Sequence, residues 1–330
     1  MYRPMTIACS FSLLIVFTHA VPQEFRDQTI DRKTPEWALK KINKPALRTG
    51  LEYLDKGLFE NLPTVAYEAK EWFQEYIPQW CLDQSSNKDN GFDPAKDIKV
   101  YDIRYTDCAM PWVVCIHNDS PMDINGFAGL FSRIPVSSRS FVRHVLTVPG
   151  DSEAGANTDG DIVFENLSSD DVATIIHEVG HSLDKFAYDE QLSFSSDWVD
   201  KTSKDKSVPN TYAGSSAIED VAESSIVATY NMLVPGGFPK IESRWVEVRN
   251  QYETVQTWQR EKANTVMRPG GSCRKRFKNS DTVERPSTKR LLRGRWAPWR
   301  RSPKPGTSLP EGMEVIQPGH FESGRCVRKH

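Results

Sequence analysis

The sequence has no apolar run long enough to cross a lipid bilayer. Its longest largely apolar run, from Met5 to Phe17, has 13 residues, whereas a membrane-spanning helix needs about 20. Arg3 precedes this run and the small residue Ala20 follows it, which is typical of a cleavable secretory signal. We therefore expect residues 1–20 to be a signal peptide, the mature protein to be secreted, and no stable membrane insertion.

Cysteine is scarce as well, at 6 of 330 residues, and Cys9 would leave with the signal. The other five would stand in an oxidising compartment that permits disulfides, and an odd number leaves one of them unpaired. They are Cys81, Cys108, Cys115, Cys273 and Cys326. Cys108 and Cys115 could close a small loop and leave Cys81 and Cys273 as a long-range link, but spacing alone leaves the connectivity open.

Neither sign of charge dominates the whole chain, which has a net charge of −2. Residues 271–330 nevertheless carry 15 Lys/Arg against 5 Asp/Glu, or +10, so residues 1–270 carry 27 against 39, or −12. Arg, Pro and Ser dominate the C-terminal part, and we predict a basic, disordered tail over residues 269–330. Trp296 and Trp299 among the basic residues could indicate nucleic-acid or membrane-surface binding. A solvated tail explains this composition better in an exported protein, so we expect no nucleic-acid partner.

Hydrophobic periodicity divides the rest of the chain into two parts. From Pro35 to about Gln79 the spacing is helical, as in PEWALKKI and AYEAKEWFQEYI, so residues 21–95 are predicted to be a helical N-terminal section. From Ile98 the period shortens to two in KVYDIRY, WVVCIH, HVLTV and GDIVFEN, which indicates strands of one sheet. Helical patterns follow, and together they predict an α+β fold in residues 96–268.

The segment ATIIHEVGHSLD, residues 173–184, carries two histidines around a glutamate on the first of these later helices. Positions four apart share one helix face, so the rings of His177 and His181 can reach one zinc ion. Glu178 lies beside them, placed to take a proton from a water molecule whose pKa the ion lowers to about 7. A lone histidine on an apolar helix is usually structural, but unpaired buried charge is too costly to explain all three groups without an ion.

A catalytic zinc ion needs a third protein ligand. The pattern His-Glu-x-x-His-x-x-Gly-x-x-His fails, because Asp184 and Ala187 stand where its last Gly and His would be. A second helix, predicted from about Ser215 to Leu233, carries Glu219 and, one turn later, Glu223. We predict Glu219 as the third ligand, and Glu223, or less favourably Asp184, as acceptor for the free ring nitrogen of a ligating histidine. A solvent-facing acidic stripe is the alternative for both glutamates.

These two segments resemble the zincin metallopeptidases with a glutamate third ligand, and in particular the catalytic domain of anthrax lethal factor. His177 to Asp184 fits the first motif of that family, and Tyr212 to Glu223 fits the second. The resemblance implies a zincin-like α+β fold with a mixed sheet behind the helix of His177 and His181. It further implies zinc on His177, His181 and Glu219, Glu178 as the base and Tyr212 as donor to the oxyanion. It also implies that the strand before the zinc helix, here Gly160 to Asn166, lies at a sheet edge and pairs with an extended substrate.

In size and signal the chain also resembles fungal secreted zincin-like proteins called conidiation-specific protein 13. The expected function is that of a secreted zinc metalloendopeptidase acting on a peptide or protein substrate. A secreted zincin-like binding or host-interaction protein with little or no proteolytic activity is the alternative. A structural zinc ion is a third, weaker reading, because such sites usually close with four Cys/His ligands and no mature cysteine lies near His177 in the sequence.

Overall fold

The computed structural model describes residues 34–86, 92–150, 153–261, 269–271, 273 and 276–286. The predicted signal peptide, Cys326 and residues 287–330 of the predicted tail lie outside these ranges. The strands within them are β1 (Ala46–Arg48), β2 (Tyr67–Glu71), β3 (Tyr76–Pro78), β4 (Ile98–Tyr105), β5 (Trp112–His117), β6 (His144–Val148), β7 (Ala154–Thr158), β8 (Asp161–Glu165), β9 (Val208–Asn210) and β10 (Thr282–Glu284). The helices are α1 (Asp55–Asn61), α2 (Gln79–Ser85), α3 (Ile124–Phe131), α4 (Val136–Arg139), α5 (Val172–Phe186), α6 (Ser196–Lys204), α7 (Ala217–Leu233) and α8 (Arg249–Glu261).

The main sheet has six strands in the order β2-β4-β5-β6-β8-β7. The pairs β5–β6 and β6–β8 are parallel, and the other pairs are antiparallel. The prediction of an α+β fold with a mixed sheet is therefore confirmed. The four segments with a period of two also form strands, namely β4, β5, β6 and β8. Among the described residues, no helix combines the length and apolarity that crossing a membrane requires.

Side chains that alternate along the strands form two apolar layers, one on each face of the sheet. In β5, Trp112 and Val114 join the larger cluster with α5 and α7, whereas Val113 and Cys115 face a smaller cluster beside α2. Both layers are fully buried in these positions. The segment with His177, Glu178 and His181, which lies on α5, is therefore on the face of the sheet that carries the larger cluster.

The helical prediction for AYEAKEWFQEYI is wrong. This segment forms β2 and β3, with β2 pairing antiparallel to β4 from Tyr67 opposite Tyr105 to Glu71 opposite Tyr101. Glu and Lys favour helices in isolated peptides, but on this edge strand their side chains face solvent. The strand is held in place by its pairing with β4 and by the contact between the Tyr67 and Tyr105 rings. The predicted helical section over residues 21–95 thus contributes a strand to the main sheet.

The disulfides differ from the predicted arrangement of a small loop and a long-range link. Cys81 is joined to Cys115, and Cys108 is joined to Cys273. The reason is the alternation of β5, which turns Cys115 toward the smaller layer and α2, while Cys108 and Cys273 belong to the larger layer. Cys108 and Cys115 therefore face opposite sides of the sheet.

The prediction of disorder is wrong for the described part of the tail. After the disulfide at Cys273, the buried Arg276 donates hydrogen bonds to the carbonyls of Pro111 and Arg143, at 2.7 and 3.1 Å. β10 then pairs antiparallel with β3. The basic composition of the whole tail conceals this short anchored segment, because a single buried arginine and a three-residue strand hardly alter a composition count.

His144 ties this anchored segment to the sheet. Its Nε2 accepts the backbone N–H of Ser280 at 3.0 Å, and its Nδ1 lies 2.8 Å from Asp161, which is also paired with Arg143. Burial lowers the pKa of His144 despite the nearby Asp161 carboxylate. The ring is therefore neutral in the folded protein at neutral pH.

This neutral ring predicts a loss of stability in weak acid. Below the ordinary histidine pKa of about 6.5 the unfolded chain takes up a proton at His144 and the folded protein does not, so unfolding becomes more favourable as the pH falls. We expect the urea midpoint of the parent to fall more between about pH 7.5 and about pH 5.5 than that of His144→Gln. Equal falls in the two proteins would contradict this assignment.

Candidate metal centre

The helix that carries the two histidines begins at a well-capped end. Asp171 accepts the N–H of Thr174 at 2.9 Å, and Asp55 of α1 accepts the N–H of Ala173 at 2.7 Å. The Asp171 side chain is therefore the N-terminal cap of α5. Every residue of α5 from Val172 to Asp184 is buried, so its polar groups must find partners within the protein.

The structure brings the three predicted ligands together. The Nε2 atoms of His177 and His181 lie 3.1 Å apart, and Oε2 of Glu219 lies 3.3 Å from the first and 3.4 Å from the second. A tetrahedral zinc ion with bonds of about 2.0–2.1 Å would hold its ligand atoms about 3.3–3.4 Å apart. The three donor atoms therefore have the spacing and the chemical type that one zinc ion requires.

Small residues let the second helix come close enough to supply Glu219. A Cβ on Gly180, in the middle of the motif, would lie 3.2 Å from the Cβ of Ser225 and 3.3 Å from the Cα of Ala222 on α7. The hydroxyl of Ser216 accepts the N–H of Glu219 at 3.2 Å and begins α7 at this point. Gly180 thus sets the distance between the helices, and Ser216 sets where the Glu219 side chain projects.

The charges of the cluster favour a cation. Burial opposes a charge on His177, but the carboxylates of Glu223 and Glu219 outweigh it and raise its pKa. Burial opposes a charge on His181 in the same way, and the nearby carboxylates, Glu219 foremost, outweigh it and raise the pKa to about 9. Burial would raise the pKa of Glu219, but the two imidazoles hold it below its usual range. The donor set therefore stabilises positive charge, which a divalent cation can supply.

Glu178 lies against the edge strand β7. It is fully buried, and its Oε1 lies 4.0 Å from Nε2 of His177. A Cβ on Gly155 would lie 2.7 Å from the Cγ of Glu178, so only glycine leaves room for this carboxylate. The side-chain amide of Asn157 donates to the Glu178 carbonyl at 2.6 Å and to Ser182 at 2.8 Å, which fixes β7 onto α5.

Tyr212 faces the same cluster from the turn before α7. Its ring centre lies 5.8 Å from that of His177. Burial raises the pKa of Tyr212, and the carboxylates of Glu219 and Glu178 raise it further. The phenol therefore keeps its proton at neutral pH and can donate a hydrogen bond. Two backbone bonds hold the turn against the N-terminal segment: Ile42 N–H to the Gly214 carbonyl at 2.8 Å and Thr211 N–H to that of Thr49 at 3.3 Å.

The two predicted supporting carboxylates lie in different places. Oε1 of Glu223 is 3.1 Å from Nδ1 of His177, on the side of the ring away from the ligand cluster. Asp184 instead accepts hydrogen bonds from the N–H and hydroxyl of Ser193 and the amide of Gln191, at 2.6 to 3.0 Å. These bonds join α5 to the turn at 192–194 rather than to an imidazole.

The prediction that the strand before the histidine-bearing helix lies at a sheet edge is wrong. The strand just before the zinc-type helix, β8, lies between β6 and β7 inside the sheet, and β7 is the outer strand. A two-residue turn links β7 and β8, with positive φ at Asp159 (56°) and Gly160 (84°). An Asp-Gly pair is typical of a two-residue hairpin turn, and it is the sequence feature from which β7 could have been predicted. The segment Ala154–Thr158 gave no strand signal of its own, because small residues have low strand propensity.

Comparison with known proteins relates this chain to one protein family. A model of the family described as Conidiation-specific protein Con-13 matches residues 47–283. Conidiation-specific protein 13 of Neurospora crassa is 30% identical over 191 residues, which are 56% of this chain and 56% of that relative. The alignment thus spans little more than half of the relative's length, and no solved structure matches this chain. Since the family model covers well over half of the sequence, including all of the site described above, the chain belongs to the conidiation-specific protein Con-13 family.

Proposed function

We propose that this protein is a secreted, zinc-dependent endopeptidase with a zincin-like site. The observation that carries the proposal is the triangle of donor atoms from His177, His181 and Glu219, whose sides of 3.1, 3.3 and 3.4 Å suit one tetrahedral ion. Glu178 and Tyr212 border this triangle with the groups that hydrolysis needs, a proton acceptor and a hydroxyl donor. The two disulfides are compatible with the secretion included in the proposal.

Each residue has a defined task in this proposal. Zinc, when bound, would supply Lewis acidity and lower the pKa of a water molecule to about 7. Glu178 accepts the proton of the attacking water and then passes it to the leaving amine. Tyr212 donates its O–H to the carbonyl oxygen of the substrate as negative charge develops there, an effect commonly worth about 3 kcal/mol for one donor. Glu223 holds the His177 ring from its far side.

The substrate-binding part of the proposal rests on β7. Among the described strands it pairs only with β8, so its other edge can receive an extended peptide by strand addition. Gly155, near the middle of β7, lies directly beside Glu178. A peptide along this edge would therefore pass close to the proposed proton acceptor.

Gly155→Ala is expected to reduce hydrolysis without reducing zinc binding. The added methyl group would displace the buried Glu178 carboxylate, and misplacement of a reacting group by about 1 Å can lower a rate roughly 10²-fold. The matched control is Gly129→Ala in α3, where an added Cβ meets nothing within 4 Å. The rate of peptide cleavage and the zinc content of both variants check the prediction. Equal cleavage by the two variants would show that Glu178 does not need this space.

The general test uses purified parent protein and a broad peptide library, with cleavage products read by mass spectrometry. Cleavage that stops on addition of a zinc chelator and returns with zinc would support the proposal. A zinc-loaded protein that leaves the whole library intact would favour the alternative, a secreted zincin-like binding protein.

A further inference from the structure

Behind the ligand cluster lies a buried amide that the sequence motifs do not include. Asn210, at the end of β9, is 1% exposed. Its Nδ2 donates to Oε2 of Glu223 at 2.9 Å, and the other oxygen of that carboxylate lies 3.1 Å from Nδ1 of His177. A continuous polar chain thus runs from Asn210 through Glu223 to His177.

The same amide also holds the turn that carries Tyr212. The side-chain Oδ1 of Asn210 accepts the backbone N–H of Ala213 at 2.8 Å. An N–H group can bond only to the oxygen end of an amide, and a carboxylate only to its nitrogen end. The two partners therefore fix the orientation of the Asn210 amide, and one side chain sets both the Glu223 carboxylate and the residue after Tyr212.

The backbone of Asn210 is itself held from outside the site. β9 pairs in parallel with β1, with Asn210 opposite Arg48, and the N–H of Val208 donates to the Pro45 carbonyl at 3.0 Å. The N-terminal segment thus gives the amide a fixed support. A fixed donor to a buried carboxylate restricts that carboxylate to one orientation.

We propose that Asn210 is a positioning residue that orients His177 through Glu223 and so raises the affinity of the site for zinc, an inference that rests on the proposed function. A neutral amide suits this position because Glu223 is fully buried and a second carboxylate beside it would repel it. The amide adds a hydrogen bond to Glu223 without adding charge to the cluster. Its effect on chemistry is indirect, since it touches none of the ligand atoms.

The test is the zinc dissociation constant of the full-length protein, measured by competition with a chromophoric chelator. Loss of the direct partner of a metal-bound histidine typically costs about 10- to 100-fold in metal affinity. Asn210 lies one contact further out, so we expect a loss at the lower end of that range for Asn210→Ala. Asn210→Asp keeps an oxygen for the Ala213 N–H but replaces the donor to Glu223 with an acceptor. It should weaken zinc binding at least as much, because two adjacent buried carboxylates repel each other.

The matched control is Asn231→Ala, because the Asn231 side chain also accepts a backbone N–H, that of Phe238 at 3.1 Å, but lies near the far end of α7. This control should lower the melting temperature of the metal-free protein and leave the zinc dissociation constant unchanged. Parent-like zinc affinity in both Asn210 variants would overturn the positioning role while leaving the proposed function intact. A parent protein that binds no zinc would instead overturn the proposed function, and this inference with it.

Discussion

Replacing Glu178 with Gln is expected to abolish measurable peptide hydrolysis while the protein keeps its zinc. Gln has nearly the shape of Glu but cannot accept a proton at neutral pH. General acid–base catalysis of this kind contributes about 10²- to 10⁴-fold to a rate, and we expect a loss toward the upper end because the same group would both accept and return the proton. Glu178 is not one of the three clustered donors, so zinc content should match that of the parent.

Turnover of a cleaved peptide and zinc per chain are the two measurements for this variant. The control is Glu253→Gln, the same chemical change on the exposed face of α8, which should leave both unchanged. Parent-like turnover by Glu178→Gln would refute the role of this residue as the base, whatever the metal content. Loss of zinc from the variant would show instead that Glu178 helps to hold the ion.

Replacing His181 with Ala is expected to remove zinc binding. The change deletes one of three ligand atoms and leaves the others, on His177 and Glu219, 3.3 Å apart. The loss should therefore exceed the about 10- to 100-fold that an outer hydrogen bond contributes. A ligand at 100 times its dissociation constant stabilises a protein by about 2.7 kcal/mol, so added zinc should raise the melting temperature of the parent and not that of the variant.

His117→Ala is the matched control for this experiment. His117 is also a buried histidine, 5% exposed, but it lies on β5 and its Nδ1 accepts the N–H of Asp119 at 3.0 Å. We expect this variant to keep the zinc-dependent rise in melting temperature even if its baseline stability falls. A rise of parental size in His181→Ala would place the zinc elsewhere in the protein.

The clustering of the site could be predicted from sequence because its signals are local. His177, Glu178 and His181 share one helix whose apolar spacing and Asp171 cap are read directly from the chain. Glu219 could be predicted from its place on a second, downstream helix, with Glu223 one turn later on the same face. The structure adds what spacing cannot express, namely that Gly180 brings the two helices close enough for the three donor atoms to meet.

Features that depend on tertiary pairing could not be predicted from the sequence. The segment with β2 contains good helix formers, and only its pairing with β4 makes it a strand. The disulfide partners of Cys108 and Cys115 follow from which face of the sheet each one meets, a property that one residue of register decides. Asn210 gave no signal at all, because its role arises from the placement of β9 beside β1.

The central claim is that two helices jointly hold one zinc ion through two imidazoles and one carboxylate. X-ray absorption at the zinc edge of the purified, zinc-loaded parent tests it most directly. The account predicts about one zinc per chain, with two imidazole nitrogens at about 2.0–2.1 Å and oxygen atoms as all the other ligands. Sulfur ligands at about 2.3 Å, or a protein that takes up no zinc, would contradict it.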